Sequence, residues 1–389
     1  MATPTTRSQV ALLAITPAEL FAHDDAVVID LRSPAEHAED HVPGAKNLPL
    51  FNDDQRALVG TLYVRESPSA AFERARHIVR ERIHVLVQRI ADVAAWTMPA
   101  EDLEARVLAM TSDGLEQFQA RLATAHGSVR VERPVVFHCW RGGLRSQSVA
   151  TLVQSLGLDR TCVLAGGYKA YRTEIVRELD TLELPQPLVL RGLTGVGKTL
   201  VLGEIDRLRP NWTLDLEDCA QHRSSLLGMV GRQPCSQRMF ETRIAARLRV
   251  RANGQPLVVE GESRKVGDAT VPRRVWSALQ GGTSIELTAS VERRVRVLAQ
   301  DYLGEPGNRD ELLRQLPRIE ARMPKRAQGT SLAGMLERGE TGALIELLLE
   351  HYYDPLYRHS QSGCRYALSV DATDPARAAA EIVAYVERG

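Results

Sequence analysis

The chain has 389 residues, of which 44% are hydrophobic, and its 49 basic residues balance 49 acidic ones. This length predicts two domains of ordinary size, and the apolar content suffices for two buried cores, which excludes global disorder. A formal net charge of zero favours no class of partner, so only local charge is informative. The N-terminus lacks the apolar core of a signal peptide, and no apolar run is long enough to cross a membrane. We therefore expect a cytoplasmic protein.

The five cysteines are scattered along the chain, without a CxxC pair or a Cys/His cluster. This spacing fits neither a zinc site nor a disulfide framework and is typical of proteins from a reducing compartment. Only Cys139 lies in a segment with a chemical pattern of its own.

Short apolar runs predict the strands of a first domain at Ala26–Leu31, Pro134–His138 and Thr161–Leu164. A helix is predicted over 146–156, and strands separated by helices indicate a mostly parallel α/β sheet. Between the first two strands, residues from about 52 to 130 carry apolar side chains at helical spacing. This pattern predicts a helical insertion into the first domain.

The segment Leu182–Pro187 contains two prolines and is the predicted linker, and the apolar strand Leu188–Arg191 opens a second α/β unit. We therefore predict a first domain over 1–181 and a second over 182–389, the latter ending in a helical region.

The segment His138–Ser146 (HCWRGGLRS) joins a predicted buried strand to a predicted helix. Two glycines allow a tight loop whose N–H groups point inward, and the helix start adds the positive end of its dipole. A cysteine at the base of such an anion cradle is expected to be a nucleophilic thiolate. We predict that Cys139, Arg141 and Arg145 are catalytic; the alternative is a purely structural cysteine at a strand end.

Two chemistries fit this loop. The spacing H-C-x5-R-S is typical of cysteine phosphatases, whereas in a rhodanese the cysteine carries a persulfide or perselenide. The segments Asp30–His37 (DLRSPAEH), His41–Pro49 (HVPGAKNLP) and Gly166–Tyr171 (GGYKAY) resemble the conserved boxes of the rhodanese superfamily. Asp40 stands where these boxes often have glycine, which we interpret as a detail of a turn. Some phosphatases share the rhodanese fold, so the scaffold leaves both chemistries open.

The segment Gly192–Thr199 (GLTGVGKT) fits the phosphate-loop pattern GxxxxGK(S/T) at every position. It follows an apolar strand and opens a helical pattern, as phosphate binding by backbone N–H groups requires. We predict a P-loop NTPase-like α/β domain in which the phosphate contacts come from Gly192, Gly195, Gly197, Lys198 and Thr199.

The acidic partner of this loop is less regular than in most P-loop proteins. The apolar run Leu257–Glu260 ends in Glu260 instead of Asp, and Asp215 is a second candidate. A phosphate loop without the usual Asp fits a diphosphate substrate as well as ATP, so ATP hydrolysis is not predicted and the use of Mg²⁺ is left open.

The segment 223–251 is rich in arginine and contains Glu241 as its one acidic residue. A locally basic surface on a neutral chain favours an RNA backbone as partner, and a solvated helix face is the alternative. The arginines of this segment are Arg223, Arg232, Arg238, Arg243, Arg247, Arg249 and Arg251.

Taken together, these motifs resemble one family, the tRNA 2-selenouridine synthases, in which a rhodanese box, a helical insertion, CWRGGxRS and GxTGxGKT follow one another. The resemblance covers nearly the whole chain. Further matching residues are Arg56–Tyr63 (RALVGTLY), Asp215–Glu217, His222, Arg223, Ser225, Gln233, Pro234, Gln237, Phe240, Glu241, Glu260, Glu262–Arg264, Gly267 and Tyr352–Tyr357.

The resemblance implies a transferase that replaces sulfur by selenium at C2 of a wobble 2-thiouridine in tRNA. It implies two co-substrates, geranyl diphosphate for an S-geranyl intermediate and selenophosphate for selenium, and no tightly bound cofactor. A partner that supplies selenophosphate is also expected. Cys139 would accept selenium or hold selenophosphate, and Lys198 would stabilise the departing diphosphate.

The resemblance also suggests residues that contact substrate or metal. Glu260, Glu262 and Arg264 are expected near the phosphates, and Asp215, His222 and Arg223 are further candidates. For His222 a structural role is the alternative.

Two rival functions are kept at this point. One is a rhodanese-fold cysteine phosphatase fused to a P-loop kinase-like domain, which would turn over a generic phosphoester without RNA. The other is a non-enzymatic sulfur or selenium relay adaptor, in which the cysteine is a passive carrier.

Overall fold

The computed structural model describes residues 11–98, 103–111, 114–122, 124–126, 131–252, 254–323, 331–356 and 363–388. The chain forms two compact units, Met1–Arg177 and Glu178–Gly389. The predicted boundary at 181/182 lies four residues beyond this division, at the end of the helix Gly167–Thr181. None of the helices described is long and apolar enough to span a membrane.

The first unit contains a six-stranded sheet in the order β3-β2-β5-β6-β1-β4, and all of its strand pairs are parallel. Its strands are β1 (Leu12–Ile15), β2 (Val27–Asp30), β3 (Lys46–Asn47), β4 (Thr124–His126), β5 (Val135–His138) and β6 (Thr161–Leu164). Its helices are α1 (Pro17–Phe21), α2 (Pro34–Glu39), α3 (Asp53–Arg65), α4 (Pro68–Ala94), α5 (Leu103–Thr111), α6 (Leu115–Arg121), α7 (Leu144–Ser155) and α8 (Gly167–Thr181).

The insertion between β3 and β5 is mainly helical, as the apolar spacing predicts. Its longest helix, α4, begins after the N-cap Ser67, whose side chain accepts a hydrogen bond from the Ala70 amide, and it ends at Ala95 in the left-handed region. Side chains at helical spacing, among them Ile83 and Val87, are buried in the core of the unit.

The insertion also contributes a strand, which differs from the prediction of a helical segment through residue 130. Its last described residues form β4, which pairs with β1 at the edge of the sheet. Three residues give no measurable periodicity, so the sequence pattern could not reveal this edge strand.

The second unit contains a five-stranded parallel sheet in the order β13-β12-β7-β9-β8 and a separate two-stranded sheet, β10-β11. Its strands are β7 (Leu188–Arg191), β8 (Thr213–Leu214), β9 (Val258–Glu260), β10 (Lys265–Val266), β11 (Ala269–Thr270), β12 (Thr283–Thr288) and β13 (Tyr366–Asp371).

Helices pack around this sheet and form a second, mainly helical core. The helices are α9 (Lys198–Leu208), α10 (Leu216–Ala220), α11 (Gln237–Arg249), α12 (Arg273–Gly281), α13 (Val291–Leu303), α14 (Asn308–Glu320), α15 (Leu332–Glu337), α16 (Thr341–Leu348) and α17 (Pro375–Arg388), with a π-helical turn at Leu349–Tyr353.

The order of strands in the second unit determines where its polar residues meet. Strand β9 lies between β7 and β8, and all three run in parallel, so their carboxyl ends lie at one edge of the sheet. The phosphate loop follows β7, Glu260 ends β9, and Asp215 follows β8. Loops at the carboxyl edge of a parallel sheet are the usual position of ligand sites in α/β folds.

Candidate active sites

The cysteine loop joins the end of β5 to the start of α7. Its turn depends on Gly142, which has φ +66°, because a Cβ there would come within 2.7 Å of the Leu164 carbonyl oxygen. The loop is also tied to the next glycine turn, since the amides of Tyr168 and Lys169 donate to the carbonyls of Cys139 and Trp140, each at 2.9 Å. The predicted Gly-rich box therefore fixes the backbone on which Cys139 sits.

The thiol of Cys139 lies at the base of this loop and is 3% exposed. Its Sγ is 3.3 Å from Ser146 Oγ on the first turn of α7. Arg145 Nη1 lies 3.4 Å from Glu36 Oε2, whereas Arg141 is exposed. The structure therefore brings Cys139 and Ser146 into direct contact and holds Arg145 on the same loop through an ion pair.

The backbone amides of the cysteine loop are available to bind a ligand. In the described part of the chain, the N–H groups of 140–143 donate to no other group. Unsatisfied amides next to a helix N-terminus attract an anion. This observation supports the anion cradle predicted from the two glycines and the arginines.

A buried charge network lies beneath the loop. Arg32 Nη2 is 2.6 Å from Asp30 Oδ2, both residues are almost fully buried, and His37 Nδ1 lies 3.0 Å from the same oxygen. Burial opposes ionisation of Asp30, but the charge of His138 and the hydrogen bonds from His37 and Arg32 outweigh it and hold its pKa well below the usual range. Burial lowers the pKa of His138 to about 4, so this neighbour of the thiol is neutral at pH 7.

Asp40 belongs to the same network, and its interpretation as a turn detail is wrong. Its side chain is completely buried and accepts a 2.8 Å hydrogen bond from the Tyr168 hydroxyl, while its carbonyl oxygen accepts one from Arg32. The Arg32 guanidinium also stacks over the Tyr168 ring at 3.9 Å. Asp40 therefore links the first conserved box to the glycine turn that holds the cysteine loop.

In the second unit, the phosphate loop runs from β7 into α9. Its glycines Gly192, Gly195 and Gly197 all have positive φ, and a Cβ on Gly195 would come within 3.0 Å of the Arg294 carbonyl oxygen. Lys198 Nζ lies 3.5 Å from the Gly192 carbonyl oxygen and 3.9 Å from Glu262 Oε1. The five predicted phosphate-binding residues therefore form one continuous loop and helix start.

Three carboxylates meet beside this lysine. Glu217, Glu260 and Glu262 each offer an oxygen within 4.8 Å of the others. Glu260 Oε1 accepts the Glu217 amide at 2.6 Å, whereas Glu260 Oε2 and Glu262 Oε1 are buried with no hydrogen-bond partner among the described residues. Buried oxygens without partners are costly unless they bind a proton or a cation. The donor set therefore fits Mg²⁺, whose preferred ligands are carboxylates.

The pKa values of this acidic cluster are raised. Burial and then the charge of Glu262 raise the pKa of Glu217 to about 8, and burial with the neighbouring acids raises that of Glu260 well above its usual range. Burial also raises the pKa of Asp215, whose side chain caps α10 by accepting the Asp218 amide at 2.7 Å. Glu217 matches a family motif, but its place in this cluster was not predicted.

The contact of Arg294 with the phosphate loop was not predicted, since the sequence shows this residue only as one more arginine of a basic stretch. From α13 it is 4% exposed, and its Nε donates to the Thr194 carbonyl oxygen of the phosphate loop at 2.8 Å. Its Nη1 donates to Asp354 Oδ2 at 3.0 Å. Asp354 belongs to the motif that begins at Tyr352, whereas Tyr357 of that motif lies outside the described residues. Through Arg294, the motif therefore supports the backbone of the phosphate loop at Thr194.

Three further residues were predicted to contact substrate or metal, namely Arg264, His222 and Arg223. Arg264 is exposed. His222 packs against Gly267, where a Cβ would come within 2.7 Å of the imidazole ring. Arg223 Nη1 donates to the Val230 carbonyl oxygen at 2.8 Å. His222 therefore packs on the turn between β10 and β11, and Arg223 binds within its own segment and lies 3.8 Å from Asp301.

Several arginines of the basic segment are also occupied inside the fold. Arg232 and Arg243 each donate to a backbone carbonyl oxygen at 3.3 Å, and Arg251 donates to the carbonyl of Pro256 at 3.0 Å. Helix α11 ends at Arg249, so Arg251 lies beyond its last turn. Arg238 and Arg247 are exposed, so the basic surface is narrower than the composition predicts.

Comparisons with known proteins agree with this arrangement. A rhodanese-like domain matches residues 17–174, and a tRNA 2-selenouridine synthase AAA domain matches residues 185–381. A tRNA 2-selenouridine synthase of Pseudomonas syringae pv. tomato is 33% identical over 87% of this chain and 89% of its own length. Those of Pseudomonas fluorescens and Cupriavidus pinatubonensis are 33% and 31% identical, covering 93% and 88% of their lengths. At this identity across most of both proteins, the chain belongs to the tRNA 2-selenouridine synthase family.

Proposed function

We propose that this protein converts a wobble 2-thiouridine of tRNA into 2-selenouridine through an S-geranyl intermediate, with geranyl diphosphate and selenophosphate as co-substrates. The observation that carries the proposal is the buried Cys139 at the base of an amide-lined loop, 3.3 Å from Ser146 Oγ. The phosphate loop of the second unit supplies a separate diphosphate site. Neither a relay adaptor nor a phosphatase fused to a kinase accounts for both sites together with the family membership.

We assign geranyl transfer to the phosphate loop. The sulfur of 2-thiouridine attacks C1 of the geranyl group, the C1–O bond breaks, diphosphate leaves and the N3 proton of the base passes to solvent. The loop amides, Lys198 and Thr199 would hold the leaving diphosphate. Arg294 supports this loop from below through the Thr194 carbonyl and is a positioning residue.

The acidic cluster is the proposed Mg²⁺ site. Glu217, Glu260 and Glu262 would hold the ion, because two of their buried oxygens accept no hydrogen bond from the described residues. When bound, Mg²⁺ would neutralise charge on the diphosphate. The same carboxylates attract the ammonium group of Lys198, whose Nζ lies 3.9 Å from Glu262 Oε1.

We assign the selenium step to the cysteine loop. The selenium of selenophosphate is fully reduced, so storing it on Cys139 as a perselenide would require an oxidant that the reaction does not supply. Attack on phosphorus requires none. The Cys139 thiolate forms an S–P bond, the P–Se bond breaks, and hydrogen selenide anion leaves, while the loop amides and Arg145 hold the phosphoryl oxygens.

The released selenide then completes the exchange. It attacks C2 of the geranylated base, the C2–S bond breaks, geranylthiolate leaves and the selenide proton passes to N3. Water cleaves the S–P bond and releases phosphate. Ser146 Oγ lies 3.3 Å from Sγ and 3.2 Å from the Gly143 carbonyl oxygen, and its hydroxyl would turn to donate to the departing thiolate. Arg141 is exposed at the edge of the loop and is proposed to contact the tRNA backbone or the incoming selenophosphate; a partner that supplies selenophosphate would approach this edge.

Mass spectrometry of nucleosides tests the two steps separately. The protein is incubated with 2-thiouridine tRNA, geranyl diphosphate and selenophosphate. Cys139→Ser should accumulate S-geranyl-2-thiouridine, and Lys198→Ala should leave 2-thiouridine unreacted. Cys364→Ser and Lys265→Ala serve as controls, since Cys364 is only partly buried and Lys265 is exposed on β10. Unimpaired selenation by Cys139→Ser, or phosphoester hydrolysis without selenation by the wild type, would contradict the proposal.

A further inference from the structure

A large apolar cavity opens beside the cysteine loop in the first unit. Its volume is about 990 Å³, and its walls come from α3, α4, α6 and α7. Apolar side chains such as Val64, Phe72, Val79 and Phe118 form most of the surface. A cavity of this size is at the upper end of the range found for small-molecule sites. Its extent exceeds the packing defects of an ordinary core, so it calls for an occupant.

Helix α3 shows that this cavity is not a by-product of folding. None of its thirteen residues is buried, although it carries the family motif Arg56–Tyr63. Tyr63 is 60% exposed and Val64 82% exposed, and both line the cavity. A helix that serves only the fold buries its apolar face. Here apolar side chains instead line an open space, which is typical of a ligand site.

The cavity ends at the reacting atoms. Cys139, Trp140 and Leu144 belong to its lining, so the base of the anion cradle and the apolar walls form one continuous surface. Among the described residues that line it, five are arginines and none is an aspartate or glutamate. The combination fits an apolar chain attached to an anionic molecule and disfavours a neutral lipid.

We propose that this cavity binds the geranyl chain of the S-geranyl nucleotide during the selenium step. The inference rests on the function proposed above and deepens it, because it specifies how the second step recognises its substrate. With the chain in the cavity, the alkylated sulfur and C2 lie beside Cys139, where selenide is released. Unmodified 2-thiouridine lacks the chain and gains nothing from the cavity, so geranylation must precede selenation.

Gly60 on α3 allows the cavity to be filled without strain. It lines the cavity, its φ is not positive, and a Cβ there would meet only the end of the Arg56 side chain, at 4.0 Å. Gly60→Leu should therefore fold and occupy part of the cavity, whereas Gly60→Ala is the matched control with almost no added volume. Phe72→Ala on α4 enlarges the cavity and is the converse variant.

The experiment uses the full chain and short RNAs that carry S-geranyl, S-methyl or S-farnesyl 2-thiouridine. Binding is measured by fluorescence anisotropy, and selenation is measured with selenophosphate. The wild type and Gly60→Ala should prefer S-geranyl over S-methyl by at least tenfold, in binding and in kcat/KM. Gly60→Leu should lose that preference, and Phe72→Ala should shift it towards S-farnesyl.

The possible outcomes distinguish a failure of the cavity assignment from a failure of the proposed function. Selenation of S-methyl and S-geranyl RNA at equal kcat/KM, or tight geranyl binding by Gly60→Leu, overturns the cavity assignment and leaves the function intact. Absence of selenation with every RNA overturns the function, while the anisotropy preference still decides whether the cavity holds the chain. If Gly60→Leu impairs only transfer from geranyl diphosphate, the occupant is the donor, and the assignment to the selenium step is wrong.

Discussion

The buried ion pair beneath the phosphate loop allows a stability prediction with a magnitude. Arg294 and Asp354 have side chains that are 4% and 13% exposed, and the pair also holds the Thr194 carbonyl. Asp354→Asn keeps the volume but leaves the guanidinium without a countercharge. Removing one partner of a buried pair costs about 3–5 kcal/mol. We take about 3 kcal/mol, the lower end of that range, because Asp354 retains some contact with water.

This energy corresponds to a measurable change in melting temperature. For a unit of this size, 1 kcal/mol shifts Tm by roughly 2–4 °C, so Asp354→Asn should lower Tm of the second unit by about 6–12 °C. Hydrogen exchange read out by mass spectrometry assigns the loss to a unit, with the first unit as internal reference. The double variant Arg294→Met with Asp354→Leu should recover much of the loss, because it leaves no unpaired charge.

An exposed ion pair in the same unit provides the control. Arg377 and Asp371 lie 2.8 Å apart with side chains that are 63% and 54% exposed, so Arg377→Met should leave Tm unchanged. Equal losses from Arg377→Met and Asp354→Asn would refute the argument from burial. The argument would also be refuted if the double variant lost as much Tm as its two single changes lose together.

Three further predictions concern the two sites. Because the folded state holds a proton on Glu217 up to about pH 8, the metal-free fold should lose stability as pH rises from 4.5 to 8, and calorimetric affinity for Mg²⁺ should rise over the same interval. Both trends should be weaker in Glu217→Gln, where Glu260 still binds a proton. Gly142→Ala should abolish selenation but keep geranylation in nucleoside mass spectra, because its Cβ would come within 2.7 Å of a backbone carbonyl oxygen. Gly143→Ala is the control: a Cβ there meets open space, so this variant should stay active. Tyr168→Phe removes the hydroxyl that donates to the buried Asp40. The free energy of unfolding of the first unit, measured by denaturant titration, should fall by roughly 2 kcal/mol. Unchanged stability would mean that water replaces the hydroxyl.

Local patterns predicted the central strands well. Thr161–Leu164 and Leu188–Arg191 coincide with β6 and β7, because central strands of a parallel sheet are buried on both faces and appear as continuous apolar runs. The edge strand β4 has the sequence Thr-Ala-His and carries no such signal. The phosphate loop was equally readable, since its chemistry depends on residues that are consecutive in the chain.

The parts of the sites that were missed depend on contacts between distant residues. Glu217 and Glu260 are separated by more than forty positions and meet because β8 and β9 are neighbours. Arg294 reaches the phosphate loop across a hundred residues. The basic segment shows the opposite error: its charge was taken to face a partner, but Arg232 and Arg243 donate hydrogen bonds to carbonyl oxygens inside the fold. Charge can be counted from a sequence, but the direction of a side chain cannot.

The surroundings of Cys139 explain why an alkylated base suits the selenium step. Sulfur in an unmodified thiouridine is a poor leaving group, whereas an alkylated sulfur departs as a thiolate. Under the proposed function, the cradle of loop amides would bind the phosphate of selenophosphate, and the adjoining cavity would bind the apolar chain. Under the proposed mechanism, hydrogen selenide released between them would lie next to the bound base. A site with the cradle alone would release selenide without a substrate beside it, and a site with the cavity alone would bind the geranylated base without a nucleophile. The proposed chemistry requires the cradle and the cavity to meet, and Cys139 belongs to both.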